Sequence, residues 1–99
     1  MGNGLSVDNA KQLIESKQID IILDVRTLEE WAESHHPQAI HLPVDKVKKE
    51  FHKFYPNKEI KVLVYCRSGA RASNAVGTLQ AQGYTNVKYI DFRYTYLFD

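Results

Sequence analysis

The segment "KVLVYCRSGARAS", residues 61–73, decides the fold class of this chain. Together with Ile60, it predicts a buried strand over residues 60–66, "IKVLVYC". The strand ends on Cys66, and a short polar loop follows. Apolar residues then recur at helical spacing, which predicts a helix whose buried face is formed by Ala72, Ala75, Val76 and Leu79. Gly83 lies where a left-handed C-cap of that helix is expected.

The same alternation of strand and helix extends through the rest of the chain. Further strands are predicted at residues 20–25, 39–43 and 86–91, and further helices at residues 7–14, 27–34 and 44–54. Ser6 and Thr27 are the expected N-caps of the first two helices, and Glu30 completes a capping box with Thr27. Residues 1–99 are therefore predicted to form a single α/β domain, with a central, mainly parallel sheet flanked by helices on both faces.

Composition excludes several classes of function. The net charge of +1 and the absence of a basic arm argue against a nucleic-acid partner, and no apolar run is long enough to cross a membrane. One cysteine excludes an intramolecular disulfide and a cysteine-rich zinc site, which fits a reducing compartment and predicts a cytoplasmic protein. No signal peptide is evident at the N-terminus. "MGNGLS" fits the N-myristoylation template, but the template is short enough to occur by chance, and a capping role for Ser6 is the better explanation.

The loop after the central strand concentrates chemistry around the single thiol. A loop between a strand and a helix N-terminus directs backbone N–H groups inward, and those groups and the helix dipole favour an anion. Arg67 and Arg71 add positive charge beside Cys66, and Gly69 allows the backbone to bend tightly. Each feature has a structural explanation by itself, with Ser68 as a helix N-cap, for example. Their conjunction favours a nucleophilic thiolate.

Four segments, "DVRTLEEW", "AIHLPVD", "VYCRSGARAS" and "LQAQGYTNV", resemble the rhodanese-like sulfurtransferase domain in order and spacing over about residues 5–90. The resemblance implies a parallel sheet flanked by helices and a catalytic cysteine that carries sulfane sulfur as a persulfide. Cys66 matches that cysteine. The loop that would bind the substrate and the persulfide comprises Arg67, Ser68, Gly69, Ala70 and Arg71. No cofactor is implied.

Loop length separates this family from a similar one. Cdc25-type phosphatases have five residues between cysteine and arginine, enough to wrap a phosphate group. Here four residues separate Cys66 from Arg71, which favours a single sulfur atom as the cargo. Arsenate-reductase chemistry that needs an internal resolving thiol is excluded because the chain has no second cysteine.

The expected reaction is a ping-pong transfer from a small donor, thiosulfate or a persulfide, to cyanide or a cellular thiol. Since Cys66 is the only cysteine, the acceptor must come from outside the chain. A non-catalytic binding module, or a sulfur carrier acting beside a partner protein, remains the alternative. The sequence leaves the oligomeric state open, with a monomer favoured.

Other candidate residues are expected to have structural rather than catalytic roles. Asp24 and Arg26 match a family signature at the carboxyl end of another strand, where a buried carboxylate would fix loops near the site. Trp31 is expected to pack the short helix. No acidic or cysteine ligand accompanies the histidines of this region at a recognisable spacing, so no metal site is predicted.

The tail departs from the family pattern. In "DFRYTYLFD", Phe92 and Arg93 occupy positions where the family commonly has two glycines, and Leu97 occupies a tryptophan position. The closing helix expected there is therefore missing or remodelled. Because five of the last eight residues are apolar or aromatic, we expect the tail to fold back onto the domain. The turn "SHHPQAI" also lacks the usual glycine, which predicts a more polar rim.

Overall fold

The computed structural model describes residues 4–98, which form an α/β domain around a five-stranded parallel sheet. The strand order is β1-β5-β4-β2-β3. The strands are β1, Gly4–Leu5; β2, Ile21–Asp24; β3, Ala39–His41; β4, Val62–Tyr65; and β5, Val87–Ile90. The predicted fold class is confirmed. Since β4 lies between β5 and β2, its carboxyl end opens at the middle of the sheet edge, where α/β folds place their ligands.

Four α-helices and one short 3-10 helix cover the sheet. They are α1, Val7–Glu15; α2, Leu28–Glu33; α3, Val44–Phe54; α4, Ala70–Ala81; and the 3-10 helix, Tyr94–Leu97. Helices α3 and α4 pack on one face, over the larger apolar cluster that includes Phe51 and Leu79. Helix α1 and the 3-10 helix pack on the other, around Ala10, Leu63 and Leu97. Both faces are therefore covered, which explains why the strands lack polar alternation.

Local signals in the sequence set the helix ends as predicted. The hydroxyl of Ser6 accepts from the Asn9 N–H at 3.1 Å. Thr27 and Glu30 form the full capping box at the start of α2, each side chain accepting from the other residue's backbone N–H. Gly83 follows α4 with a φ of 100°. These caps depend on residues three or four positions apart, which is why sequence alone identifies them.

Two details differ from the predictions. Strand β1 was not predicted, because two residues at a sheet edge carry no periodicity; Gly4 pairs there with Tyr89. Phe54 follows Val44, Val47 and Phe51 at helical spacing, which predicts a buried side chain, but it is 65% exposed because the helix ends at that residue and Phe51 fills the core beneath. The N-myristoylation template spans residues 1–6, and its first three residues, which include the glycine at position 2, lie outside the described residues.

The tail folds back onto the domain, as expected from its composition. Its 3-10 helix replaces the closing helix and buries Tyr94 and Leu97 against the face covered by α1. Phe98 is half exposed and packs edge-on against His36 of the "SHHPQAI" turn, with ring centroids 5.4 Å apart. Within residues 4–98, no helix combines the length and apolar character needed to cross a membrane.

Candidate active site

The thiol of Cys66 lies at the carboxyl end of β4, directly after the strand's last residue. The residue is only 2% exposed, so its side chain is almost fully enclosed. Two backbone N–H groups donate to its Sγ atom, from Gly69 at 3.1 Å and from Ala72 at 3.3 Å. Both donors belong to the start of α4, where the free N–H groups and the helix dipole favour negative charge. The inward-directed backbone N–H groups expected from the sequence are therefore present. We call these two groups, which both donate to the Sγ atom, the cradle.

The loop owes its shape to Gly69. Its φ of 110° lies in the left-handed region, as the predicted tight bend requires. A Cβ at this position would lie 2.7 Å from the Asp91 Cα and 2.8 Å from the Asp91 Cβ. The absence of a side chain at Gly69 therefore also lets the loop approach the end of β5 closely, which holds the loop against the sheet.

Arg71 is held by an ion pair that the sequence did not reveal. Its guanidinium donates to the Glu30 carboxylate in bidentate fashion, at 2.7 Å and 3.1 Å. The hydrogen bond from Arg71 lowers the pKa of Glu30 to about 2, and the reciprocal bond raises the pKa of Arg71. Glu30 was assigned only a capping role. It also anchors the last loop residue to α2, so part of the positive charge at Arg71 is compensated before any substrate arrives.

The remaining loop residues face solvent. Arg67 and Ser68 are exposed, and so is Ala70, the first residue of α4. The interpretation of Ser68 as an N-cap is wrong, because Gly69 occupies that position and α4 has no side-chain cap. Within residues 4–98, the hydrogen bonds to the thiol come from the backbone, at Gly69 and Ala72.

Asp24 and Arg26 form a buried pair beside the site, as predicted. The Arg26 Nε atom lies 3.1 Å and 3.0 Å from the two Asp24 oxygens, and its Nη2 lies 2.8 Å from Oδ2. Nη2 also donates to the Ser34 carbonyl at 2.6 Å. The pair thus ties the end of β2 to the end of α2. It organises the loops around the site, and a buried ion pair of this kind needs such extra hydrogen bonds.

Two tyrosines complete the neighbourhood, and the sequence did not assign them to the site. The rings of Tyr65 and Tyr94 stack with centroids 4.7 Å apart. The Arg26 guanidinium carbon lies 4.8 Å from the Tyr94 centroid and 5.6 Å from that of Tyr65. The Tyr94 hydroxyl is 2.6 Å from the Ser34 hydroxyl. Burial raises the pKa of Tyr65, which keeps its hydroxyl neutral to accept from the His36 N–H. The tail therefore forms a wall of the site.

The histidines of this region serve packing and turn geometry. His35 and His41 stack on Trp31, with centroid distances of 3.4 Å and 5.0 Å. His36 is buried, and its Nδ1 accepts from the Gln38 N–H at 3.1 Å. Across residues 4–98, no three histidine, cysteine or acidic side chains are grouped so as to hold a metal ion.

Comparison with known proteins places this geometry in a family. The family model of the rhodanese-like domain matches residues 6–93. YrkF of Bacillus subtilis (strain 168) is 35% identical over 83 residues, and thiosulfate sulfurtransferase PspE of Escherichia coli (strain K12) is 35% identical over 66 residues. These matches cover 84% and 67% of this chain, which spans 44% and 64% of the two relatives.

Solved structures agree with the sequence matches. The human single-domain sulfurtransferase TSTD1 superposes with a TM-score of 0.82 at 23% identity, covering 97% of this chain and 95% of that one. A rhodanese with anions from E. coli superposes with a TM-score of 0.69 at 32% identity, covering 74% of this chain and 86% of that one. The chain belongs to the rhodanese-like domain family.

Proposed function

We propose that the protein transfers sulfane sulfur from a donor such as thiosulfate to a thiophilic acceptor, through a persulfide on Cys66. The observation that carries this proposal is the pair of backbone N–H groups that converge on Sγ at 3.1 Å and 3.3 Å. Fixed donors at this position stabilise a thiolate, and they stabilise charge without reorganising during the reaction.

In the first half-reaction the Cys66 thiolate attacks the outer sulfur of thiosulfate. The new bond forms between Sγ and that sulfur, while the bond between the two thiosulfate sulfurs breaks. Sulfite leaves with the bonding electron pair, and the enzyme retains a persulfide anion, so atoms and charge balance. Arg67 is exposed and positive beside the thiol, which favours entry of a dianion.

In the second half-reaction an external nucleophile attacks the terminal sulfur of the persulfide. The bond between Sγ and that sulfur breaks, and the Cys66 thiolate is restored. Cyanide gives thiocyanate, and a thiolate gives a new persulfide. Cys66 is the only cysteine of the chain, so an internal disulfide cannot release the sulfur.

The geometry favours sulfur over phosphate as the cargo. The Gly69 and Ala72 N–H groups already lie within hydrogen-bond distance of Sγ, and the Arg71–Glu30 ion pair holds the end of the same loop. A ring this tight accommodates one added atom more readily than a tetrahedral group with three oxygens. Contact between Gly69 and Asp91 opposes widening of the loop.

The test is thiocyanate formation from thiosulfate and cyanide. We expect Cys66→Ser to abolish activity and to leave the circular dichroism spectrum unchanged. Ser73→Ala, an exposed change on α4, is the matched control and should retain activity. Activity in Cys66→Ser would remove the mechanism. Faster hydrolysis of aryl phosphates than turnover of thiosulfate by the unaltered protein would favour a phosphatase instead.

A further inference from the structure

A depression of about 270 Å³ lies beside the loop that carries Cys66. It is lined by Arg26, Ser34, Arg67, Arg93, Tyr94 and Thr95. Arg67 directly follows the reactive cysteine, whereas the last three residues belong to the divergent tail. The tail thus forms part of a depression next to the loop. The mechanism proposed above does not use the part of this depression that the tail lines.

Two of the three arginines in this depression carry charge without an internal counter-ion. Arg26 is neutralised by Asp24 and shielded by the two tyrosine rings. Among residues 4–98, by contrast, neither Arg67 nor Arg93 has a carboxylate within ion-pair distance. Two exposed guanidinium groups that face one depression attract an anion, and each can donate two parallel hydrogen bonds to it.

The backbone under Arg93 is ordered by its neighbours. The Arg93 carbonyl accepts from the Tyr96 N–H at 3.0 Å, which starts the 3-10 helix. The next residue, Tyr94, is buried and bonded to Ser34 across the depression. Because the tail is fixed on this side, the guanidinium of Arg93 projects from a rigid base and loses less conformational entropy on binding an anion.

The size of the depression limits the ligand. Its volume corresponds to roughly nine water molecules of about 30 Å³ each, and it lies just below the range of about 300–1,000 Å³ typical of ligand pockets. Hydroxyl groups of Ser34, Tyr94 and Thr95 line it beside the arginines. A short organic anion fits this combination of volume, charge and hydroxyl groups.

We propose that this depression binds the carboxylate of a small acceptor thiol and so selects anionic thiols for the second half-reaction. The proposal rests on the sulfurtransferase function above and assigns Arg93 as a specificity residue. The proposal places the carboxylate between Arg67 and Arg93, with the thiolate of the acceptor directed at the persulfide on Cys66. The thiolate attacks the terminal sulfur, the bond to Sγ breaks with its electron pair returning to Sγ, and the acceptor leaves as a persulfide anion.

The experiment compares three short acceptor thiols that differ in charge: 3-mercaptopropionate, 2-mercaptoethanol and cysteamine. Sulfite release from thiosulfate gives kcat/KM for each thiol. Cyanide, which has no carboxylate, is the reference acceptor. Each variant is compared with the unaltered protein for the same thiol, which removes differences in intrinsic thiol reactivity. Lys88→Gln is the matched control, since it removes one exposed positive charge at the other end of the neighbouring strand β5.

We expect Arg93→Gln to lower kcat/KM for 3-mercaptopropionate about threefold to tenfold, because the substitution removes one partly exposed charged contact with the carboxylate. The kcat/KM for 2-mercaptoethanol, which has no carboxylate, should not change. Arg93→Glu should shift the preference toward cysteamine, and added salt should shrink both effects. Lys88→Gln should keep the preference of the unaltered protein.

Two results would overturn the inference while leaving sulfur transfer intact. One is an unchanged ratio between the anionic and neutral thiols in both Arg93 variants. The other is an equal loss for all three thiols, which would assign Arg93 a structural role. Failure of the unaltered protein to release sulfite with any thiol or with cyanide would instead remove the proposed function, and the subsite with it.

Discussion

Replacing Gly69 by alanine tests how the loop is held. The added methyl group would lie 2.7 Å from the Asp91 Cα, a backbone atom that cannot rotate away. The residue would also have to keep a φ of 110°, which an L side chain rarely adopts. Relief of either strain moves the Gly69 N–H away from Sγ. One substitution therefore perturbs both the stability of the domain and the cradle.

The cost can be assembled from three contributions. A non-glycine residue at positive φ costs about 1–3 kcal/mol, and overpacking against Asp91 costs about 1–3 kcal/mol more. Alanine restricts the unfolded chain, which returns about 0.4–1 kcal/mol. The net loss, about 1–5 kcal/mol and centred near 3 kcal/mol, corresponds at its centre to a fall in Tm of roughly 12 °C or more for a domain this size. Loss of one hydrogen bond to a charged sulfur should lower kcat/KM about tenfold or more.

Two other glycines separate these contributions. Gly83→Ala has the positive φ of 100° but meets only the end of the Lys58 side chain, at 3.9 Å, so it isolates the backbone cost. Gly77→Ala lies within α4 with no atom within 4 Å of the new methyl group, and should stabilise the helix by about 0.5–1 kcal/mol. Thermal unfolding should rank the variants, from most to least stable, as Gly77→Ala, unaltered, Gly83→Ala and Gly69→Ala.

Thiosulfate turnover measured on the same three variants completes the test. Only Gly69→Ala should lose activity because, of the three glycines, only Gly69 donates a hydrogen bond to the Cys66 Sγ. A Tm for Gly69→Ala equal to that of Gly83→Ala would show that Asp91 does not crowd the loop. Full activity in Gly69→Ala would show that its N–H is not needed at sulfur.

Three further predictions concern the surroundings of the loop. Because Arg71 holds the pKa of Glu30 at about 2, below its ordinary 4.5, the ion pair stabilises the fold above about pH 5 and ceases to do so as the pH falls toward 2. The Tm difference between the unaltered protein and Glu30→Gln should therefore shrink over that pH interval. A constant Tm difference would contradict the ion-pair assignment. Asp24→Asn leaves Arg26 buried without its counter-ion and should cost about 3–5 kcal/mol by denaturant unfolding, whereas a change under 1 kcal/mol would mean that the pair is dispensable. Deletion of residues 92–99 removes two buried side chains and should lower Tm by at least about 4 °C; an unchanged Tm with a dimer becoming a monomer on sizing chromatography would make the tail an interface.

The sequence predicted those parts of the fold that depend on near neighbours. The capping box at Thr27 and Glu30 joins residues three positions apart, and the buried face of α4 follows from helical spacing. Strand β1 was missed because its only structural signal is its pairing with β5, at the other end of the chain.

The site was predicted in its main chain and missed in its side-chain partners. The loop from Cys66 to Arg71 has a recognisable composition. In the structure, the N–H group of Gly69 within this loop and that of Ala72 just after it donate hydrogen bonds to the sulfur. The pairing of Arg71 with Glu30 spans 41 positions, and that of Ser34 with Tyr94 spans 60. Such contacts depend on how the elements pack, and a capping residue gives no sign in sequence that it also binds an arginine.

The persulfide is tested most directly by the intact mass of the protein, measured before and after incubation with thiosulfate and removal of excess donor. We expect a gain of one sulfur atom, its loss on addition of cyanide, and no gain in Cys66→Ala. A protein that gains no sulfur, or a Cys66→Ala variant that gains as much as the unaltered chain, would contradict the persulfide mechanism.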